Sequence, residues 1–405
     1  MADNVIARKS GNWNAVSTLP SVNLTPMGGT MLPTPYPVIS PLAPSQGTIG
    51  SVKANSNTVW GFDPTKAPAT QGDEAGTGKG VKSGTVGKDS WAQEKSSTVK
   101  AEDKKVVRHD DKADMEGDKE AKEKEEMKKR QECREEQVKA GAASKNPEIR
   151  ARAARFSENI SGAQYAGLSD NVYDPTKARL GWINESNNPE FLRSQGIRQS
   201  DLSGPGAYRA QVYRPDPAVW GDNPRFGTTV AFQGTSGVFN GDVGASVGQG
   251  LNLGSDYYRR AVSIGRSTYA NGTRVTFTGH SLGGGLASAA SQASGYRGFT
   301  FNPSGLSSGT VRYPRGNGSQ IRAYYVRGEA LRGAQQPGVI GALGSFGTTL
   351  ITGAIMPNAV GIPHELSASS FSPLNRHKMG DVMNGIEEQK REDQRAIAND
   401  TGKEC

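Results

Sequence analysis

The chain has 405 residues, enough for two or three domains and at least one sizeable core. Only 34% of its residues are hydrophobic and 52 are glycine, which argues against a long helical bundle and indicates turns and solvated linker. The net charge of +8 favours anionic partners such as nucleic acid or an anionic membrane. Acidic residues nearly balance the basic ones, 40 against 48, so we expect a mixed, solvated surface and no nucleic-acid partner.

The two cysteines, Cys133 and Cys405, have no CxxC or Cys/His spacing around them. The sequence therefore supports neither a disulfide framework nor a zinc ribbon, and no metal or cofactor is predicted. Residues 1–9 lack the apolar segment of a secretory signal, so we expect any export to use another route.

Residues 1–117 are rich in glycine, proline, threonine and serine. Segments 25–29 and 33–37 contain turn and extended signals that disfavour helix, because proline lacks the backbone N–H and glycine bends the chain. Segments 81–86 and 97–100 alternate weakly between apolar and polar residues, as short strands do. This composition predicts a small all-β domain over residues 1–117.

Residues 118–145 form a charged linker. Between residues 117 and 139 almost every residue is Glu, Lys, Asp or Arg, and no apolar stripe is present. Opposite charges recur three to four residues apart, which stabilises an isolated helix. We therefore predict a solvated helical spacer, whose acidic residues cancel its basic ones and argue against nucleic-acid binding.

Residues 146–405 have the pattern of an α/β enzyme. Alternation of strands and helices at this spacing predicts a mostly parallel sheet with helices on both faces. The predicted helices are 149–170, 257–269 and 286–293, and the predicted strands are 228–232, 274–278, 299–301 and 321–326.

The sequence GHSLG at residues 279–283 follows a predicted strand and precedes a small-residue helix. A serine on such a sharp strand-to-helix turn has an exposed Oγ, and the flanking glycines allow the turn without Cβ clashes. The helix start also places backbone N–H groups beside the serine. We predict Ser281 as the nucleophile of a serine lipase or esterase.

An oxyanion hole requires two N–H donors near the attacked carbonyl. The Leu282 N–H, directly after the serine, is the first predicted donor. The second is the Thr235 N–H, because the apolar strand 230–232 ends there and Gly234 lets the backbone approach the site.

His377, ahead of a C-terminal helix, is predicted as the general base, because this type of site places histidine last in the chain. His364 is the alternative. Glu329, just beyond the strand 321–326, is predicted to orient His377, since open α/β sheets build sites at the carboxyl ends of their strands. Asp381 and Glu365 are rival acids.

Two further segments lie near these residues in sequence. The glycine-rich segment 236–253 is a candidate lid. The uncharged segment 338–356 is long enough to cross a membrane but lacks a dense apolar centre, so we expect it to cover an acyl pocket.

Residues 160–390 resemble the class 3 lipases, through the strand that ends in FQGT at residues 232–235 and through GHSLGG at residues 279–284. The departures from the family pattern are Gln233 in place of an arginine and Glu329 in place of an aspartate. The resemblance implies an α/β-hydrolase fold, here a lipase domain over residues 146–405, and the hydrolysis of acyl esters.

Residues 4–117 resemble the PAAR-like domain of type VI secretion, through segments 25–29, 33–37, 72–78 and 83–85 and the tail 106–110. That resemblance implies a β-rich tip that sits on the trimeric spike protein of the VgrG family. Many such tips bind zinc, but His109 alone is present here, and zinc is not predicted.

Together the two resemblances imply an antibacterial type VI effector, a phospholipase A delivered to the envelope of a neighbouring bacterium. Membrane phospholipid is the implied substrate, and a cognate immunity protein is an implied partner. The alternatives are a general carboxylesterase or triacylglycerol lipase, a non-catalytic spike-tip protein, and a pore former that uses residues 338–356.

Overall fold

The chain divides into two compact units, Met1–Glu126 and Met127–Cys405, in a computed structural model. The three-part division predicted from the sequence, with boundaries at residues 117 and 145, stays a prediction. The structure describes residues 5–174, 176–204, 206, 208–234, 243–329 and 358–405, without the side chains of residues 243–255 and 374.

The described part of the first unit contains ten short strands: β1 (Asn14–Val16), β2 (Ser21–Met27), β3 (Thr30–Tyr36), β4 (Ile39–Pro41), β5 (Ile49–Ala54), β6 (Asn57–Val59), β7 (Asp89–Ala92), β8 (Lys100–Ala101), β9 (Lys104–Lys105) and β10 (Ala113–Gly117). They pair two by two and antiparallel, β1 with β4, β2 with β3, β5 with β6, β7 with β10 and β8 with β9. The β-rich character expected of this region is therefore observed. Its apolar core is small and includes Trp60, Ala67 and Val107.

The predicted strand over residues 81–86 is wrong. The segment turns back on itself, and the Gly84 N–H donates a hydrogen bond to the Gly80 carbonyl at 2.8 Å. Gly84 has a φ of +67°, a left-handed conformation that no extended strand contains. Of residues 97–100 only Lys100 belongs to a strand.

Two carboxyl groups, those of Asp73 and Glu116, lie buried together in this unit. Asp73 accepts a hydrogen bond from Asn23 at 2.6 Å, while Asp73 Oδ1 and Glu116 Oε1 have no hydrogen-bond partner among the described residues. Burial, and then the neighbouring Asp73, raises the pKa of Glu116 to about 7. The folded state therefore binds a proton that the unfolded chain releases near pH 4.5.

This pair should make the first unit lose stability as the pH rises. Because the pKa of Glu116 is higher in the folded state than in the unfolded chain, its protonation stabilises the folded state fully below pH 4.5. This contribution is lost as the pH approaches 7. We expect a Glu116→Gln variant to exceed the wild type in stability at pH 8 by about 2 kcal/mol, and to match it at pH 5. Calorimetry of the full chain at both pH values measures this. The half-exposed Asp114, changed to asparagine, is the control and should leave the wild-type pH dependence intact.

The second unit contains a seven-stranded sheet, ordered as in the chain: β11 (Trp182–Asn184), β12 (Ala210–Pro215), β13 (Thr229–Phe232), β14 (Thr276–His280), β15 (Gly298–Phe301), β16 (Ile321–Val326) and β17 (Ile362–Leu366). Strands β11 to β13 are antiparallel to one another, and β13 to β17 are parallel. The sheet is therefore mixed, with its antiparallel strands at one edge.

The described helices are α1 (Lys119–Ala142), α2 (Pro147–Asn171), α3 (Pro189–Ser194), α4 (Pro217–Trp220), α5 (Val243–Ala270), α6 (Leu282–Ser294), α7 (Pro373–Arg376) and α8 (Met379–Thr401). Helices α5 and α6 cover one face of the sheet, and α2 and α8 cover the other. Along β13, Val230 and Phe232 join the first cluster and Ala231 joins the second, because successive side chains of a strand point to opposite faces. Helix α5 begins well before the predicted Tyr257, at Val243.

The C-terminal half of α1 belongs to the second unit and packs against its other elements. Gln137, fully buried, donates a hydrogen bond to the Lys403 carbonyl at 2.7 Å, and Gly141 lies against Ala153 and Ile397. The glycine leaves room for this approach, since a Cβ there would come within 2.8 Å of the Ala153 side chain.

Cys133 of α1 forms a disulfide bond with Cys405. The expectation that the cysteines do not support a disulfide is therefore wrong. The two residues are 272 positions apart, and only the packing of the end of the chain along α1 brings them together. Sequence spacing contains no information about such a contact.

Removing this disulfide should destabilise the second unit, because the bond closes almost the whole of that unit into one loop. A loop of this length is expected to contribute up to about 5 kcal/mol by restricting the unfolded chain. We expect a Cys133→Ser/Cys405→Ser variant to melt roughly 5–15 °C below the oxidised wild type. Reductant should lower the wild-type melting temperature equally and leave the variant unchanged. Equal melting temperatures of variant and oxidised wild type would contradict this expectation.

The segment 338–356, a membrane-span candidate in the sequence, lies outside the described residues. Of the helices that the structure does describe, none is long and apolar enough to cross a membrane. Residues 236–242 of the candidate lid also lie outside the described residues. Its remaining residues, 243–253, form the start of α5.

Candidate active site

Ser281 is the only residue between β14 and α6, and it occupies a strained backbone conformation with φ +56° and ψ −123°. The neighbouring glycines make the tight turn possible. A Cβ on Gly279 would lie 2.2 Å from the Gly283 carbonyl oxygen, and a Cβ on Gly283 would lie 2.2 Å from the Phe232 carbonyl oxygen. Both distances are shorter than any real contact, so the backbone requires glycine at these two positions.

Ser281 Oγ lies 3.0 Å from His377 Nε2, and His377 Nδ1 lies 2.9 Å from Glu329 Oε2. In a neutral imidazole whose Nδ1–H donates to the carboxylate, Nε2 is free to accept the hydroxyl proton. The exposed fractions of the three residues are 5%, 3% and 2%. The structure thus brings three of the predicted site residues into one continuous hydrogen-bonded chain.

The three side chains come from separate elements at one edge of the sheet. Ser281 follows β14 directly. Glu329 follows β16, and its N–H donates to the Val326 carbonyl at 3.1 Å, which closes the turn at the end of that strand. His377 lies between α7 and α8. The carboxyl ends of parallel strands meet at this edge, where open α/β sheets build their sites.

The rival residues have other contacts. His364 lies in β17, stacks on Tyr324 at 4.3 Å and contacts the Gln389 side chain at 2.8 Å. Asp381 accepts hydrogen bonds from the hydroxyls of Ser369 and Ser370, both at 2.7 Å. Glu365 forms an ion pair with Arg327 at 2.7 Å. None of these contacts involves Ser281 or His377.

The backbone carbonyl of His377 is held by two side chains. His280 Nε2 lies 2.6 Å from this oxygen, and Asn302 Nδ2 donates to it at 3.2 Å. Asn302 Oδ1 also accepts from the Val326 N–H at 3.0 Å. Asn302 therefore ties the loop that contains His377 to the end of β16.

His280 is buried and neutral. Burial, and then the nearby His377, lowers its pKa to about 3. With its Nε2–H donating to the His377 carbonyl, its Nδ1 is left as an acceptor, and the Tyr173 hydroxyl lies 3.5 Å away. The Tyr173 oxygen in turn accepts from the Gly234 N–H at 3.0 Å. These contacts link the end of β13, the serine turn and the histidine loop.

The sequence alone did not point to Asn302 or Tyr173. A role for Asn302 could have been predicted, because this residue directly follows the predicted strand 299–301, at the sheet edge where sites form. Tyr173 follows the long helix α2, and its role depends on how that helix crosses the sheet.

Of the two predicted oxyanion donors, Thr235 lies outside the described residues. The strand that leads to it ends against the serine turn, since a Cβ on Gly234 would come within 2.7 Å of the His280 carbonyl oxygen. Leu282 is the first residue of α6, so its N–H belongs to the first turn of the helix, where no intrahelical acceptor exists.

His109 of the first unit contacts Asp110 at 3.1 Å and lies edge-on against Trp13. Within the ranges that the structure describes, no three His, Cys, Asp or Glu side chains are grouped as metal ligands would be.

Comparison with known protein families gives two matches. A model described as a Tle-like phospholipase domain matches residues 164–372, slightly more than half of the chain. A model described as a toxin PAAR-like domain matches residues 14–119. Ser281 and Glu329 lie inside the first match, and His377 lies just beyond it. Comparison with curated proteins finds no match.

Proposed function

Because the chain belongs to the Tle-like phospholipase family and also carries a toxin PAAR-like domain, we propose that it is a phospholipase A with an α/β-hydrolase fold. The pairing of a PAAR-like domain with a lipase domain, predicted from the sequence, is confirmed by these two matches. We assign Ser281, His377 and Glu329 as a catalytic triad. The observation that carries this assignment is the hydrogen-bonded chain from Ser281 Oγ through both ring nitrogens of His377 to the Glu329 carboxylate.

The proposed reaction is acyl transfer through the serine. Ser281 Oγ attacks the ester carbonyl carbon while His377 Nε2 takes the hydroxyl proton. The carbon–oxygen bond to the glycerol then breaks, and His377 returns the proton to the departing alcohol, which leaves as lysophospholipid. A water molecule, deprotonated by His377, then attacks the acyl carbon; the bond to Ser281 Oγ breaks, His377 returns the proton to that oxygen, and the fatty acid is released. Glu329 holds Nδ1–H and stabilises the imidazolium during both steps.

Charge that develops on the carbonyl oxygen requires donors that are fixed in advance. We assign the Leu282 N–H to this role, because it lies at the start of α6, where the helix dipole favours an anion. The Thr235 N–H remains our proposed second donor. The burial of the triad supports the assignment, since hydrogen bonds and ionic contacts are stronger away from water.

The PAAR-like domain indicates delivery by the type VI secretion system, in association with a spike protein of the VgrG family. The phospholipase domain indicates action on the membranes of the target cell. We propose that the target is a competing bacterium and that the producing cell is protected by an immunity protein. Deleting the immunity gene, in a strain that secretes the wild-type protein, should then make that strain sensitive to its sister cells.

Product analysis tests the enzymatic proposal most directly. The purified chain is incubated with phosphatidylethanolamine or phosphatidylglycerol vesicles, and the products are identified by mass spectrometry. Free fatty acid with lysophospholipid supports phospholipase A, whereas diacylglycerol would place the cleavage at the phosphate ester. Cleavage of soluble short-chain esters alone would contradict a phospholipase and favour a general esterase. A fluorophosphonate probe should label Ser281 in parallel, which peptide mapping can locate.

A further inference from the structure

A cleft of about 770 Å³ lies in the second unit, at the edge of the sheet opposite to Ser281. Arg297, just before β15, and Arg322, at the start of β16, line it, whereas the proposed triad lies beyond the carboxyl ends of the strands. Helices α1 and α2 and the segment around Arg225 form the other walls. A cleft of this volume is large enough for a small-molecule ligand.

The lining of the cleft is unbalanced in charge. Four cationic side chains contribute to it and two acidic ones, which leaves about two positive charges uncompensated. Both glutamates are already engaged, Glu158 with the Arg322 guanidinium at 2.9 Å and Glu135 with the Asn223 amide at 2.7 Å. The cations are Lys139, Arg225, Arg297 and Arg322, and the acids are Glu135 and Glu158.

Arg225 is an anchored guanidinium with unused hydrogen-bonding capacity. Its Nη1 donates to the Ser157 carbonyl at 2.8 Å and to the Ser157 hydroxyl at 3.0 Å, which fixes the plane of the group. Its Nε is buried and has no hydrogen-bond partner among the described residues, and the nearest carboxylate, that of Glu135, is 3.8 Å away. Burial lowers the pKa of Arg225; the Glu135 carboxylate partly offsets this, and the like charge of Arg297 lowers the pKa further. An anion between the two arginines would relieve this repulsion and accept the unused N–H.

Arg297 faces the same cleft with its guanidinium 5.3 Å above the ring centre of Phe299. In the part of the chain that the structure describes, it has no ion-pair partner within 4 Å. This cation–π contact favours a position of the guanidinium over the ring while its N–H groups stay available to a ligand.

We propose that this cleft binds a phosphate-bearing anion between Arg225 and Arg297. Phosphate fits the arrangement better than a carboxylate, because guanidinium groups bind phosphate oxygens bidentately and a phosphate monoester carries nearly two negative charges at pH 7. The volume leaves room for a group attached to the phosphate. A free phosphate monoester provides both charges, whereas the phosphodiester headgroup of an anionic lipid provides one charge and the same two free oxygens for bidentate binding.

Binding is measured on the full chain in a Ser281→Ala background, so that no lipid is hydrolysed. Calorimetry with inorganic phosphate and with sn-glycerol 3-phosphate tests the free ester, and co-sedimentation with phosphatidylglycerol against phosphatidylcholine vesicles tests the headgroup. We expect saturable binding by at least one probe that weakens at least tenfold in Arg297→Gln. Arg259→Gln is the matched control, since that arginine is exposed on α5 and paired with Asp256.

Binding of the free ester alone identifies a soluble ligand, and binding of phosphatidylglycerol vesicles alone identifies a lipid headgroup. Either outcome supports the proposal if Arg297→Gln weakens it and Arg259→Gln does not. Absence of binding by all four probes, or equal weakening in both variants, overturns it. Arg225→Gln is a second variant, but its anchor to Ser157 also stabilises the fold, so the conclusion depends on the exposed Arg297. Because no turnover is measured, failure here leaves the proposed hydrolase activity untouched.

Discussion

Replacing Ser281 by alanine is expected to lower kcat on phospholipid vesicles by about 10⁶-fold, because the nucleophile of the proposed acyl transfer is lost outright. Lipid binding should be unaffected, since the hydroxyl contributes one hydrogen bond, to His377 Nε2 at 3.0 Å. The measurement is fatty-acid release under single-turnover conditions, with the folded state checked by thermal melting. More than 1% of the wild-type rate in this variant would contradict a serine mechanism.

A Ser281→Gly variant provides a matched control for this experiment. Ser281 has a φ of +56°, where a side chain is strained and glycine is not. We therefore expect the glycine variant to be as inactive as the alanine variant but more stable than both it and the wild type, by about 1–2 kcal/mol. That difference would show that the strained conformation of Ser281 lowers the stability of the wild type. Equal stabilities would indicate an unstrained turn.

The parts of the fold that the sequence predicts well are those with strong local patterns. Strands β13, β15 and β16 are short apolar segments bounded by turn signals, and each lies within a residue of its predicted position. The glycine pattern around Ser281 was equally informative, because the close contacts of Gly279 and Gly283 leave no room for a side chain. Local pattern also led to His377 and Glu329, through chain order and strand ends.

The parts that the sequence does not predict depend on contacts between distant segments. The disulfide of Cys133 and Cys405, the packing of Gln137 on the end of the chain and the buried carboxyl pair of the first unit all arise from tertiary packing. The roles of Tyr173 and Asn302 belong to the same class, since each joins residues more than 60 positions away. The error at residues 81–86 has a local cause instead. The weak alternation of apolar and polar residues predicted a strand, but Gly84 adopts a left-handed conformation and the segment forms a turn.

Glu329→Gln tests the assignment of the acid, for which the sequence left two rivals open. In the proposed triad, the glutamate carboxylate, 2.9 Å from Nδ1, keeps the His377 proton on that nitrogen, so that Nε2 can accept from Ser281. A glutamine can instead donate its amide N–H to Nδ1, which moves the ring proton to Nε2 and removes the base. We expect kcat to fall by about 10⁴-fold with little change in melting temperature, because the side chains have nearly the same shape.

The rival acids provide the controls for that experiment. Asp381→Asn loses the charge and the oxygen that accepts from the Ser370 N–H at 3.1 Å, and Glu365→Gln loses an ion pair with Arg327. None of these contacts is with His377, so each variant should retain activity within a few-fold of the wild type. Glu329→Asp keeps the charge but is one methylene shorter, and its activity should fall between that of the wild type and that of Glu329→Gln. If Asp381→Asn or Glu365→Gln instead lost activity by three orders of magnitude while Glu329→Gln stayed active, the triad would have to be reassigned, although Ser281 and His377 would keep their roles.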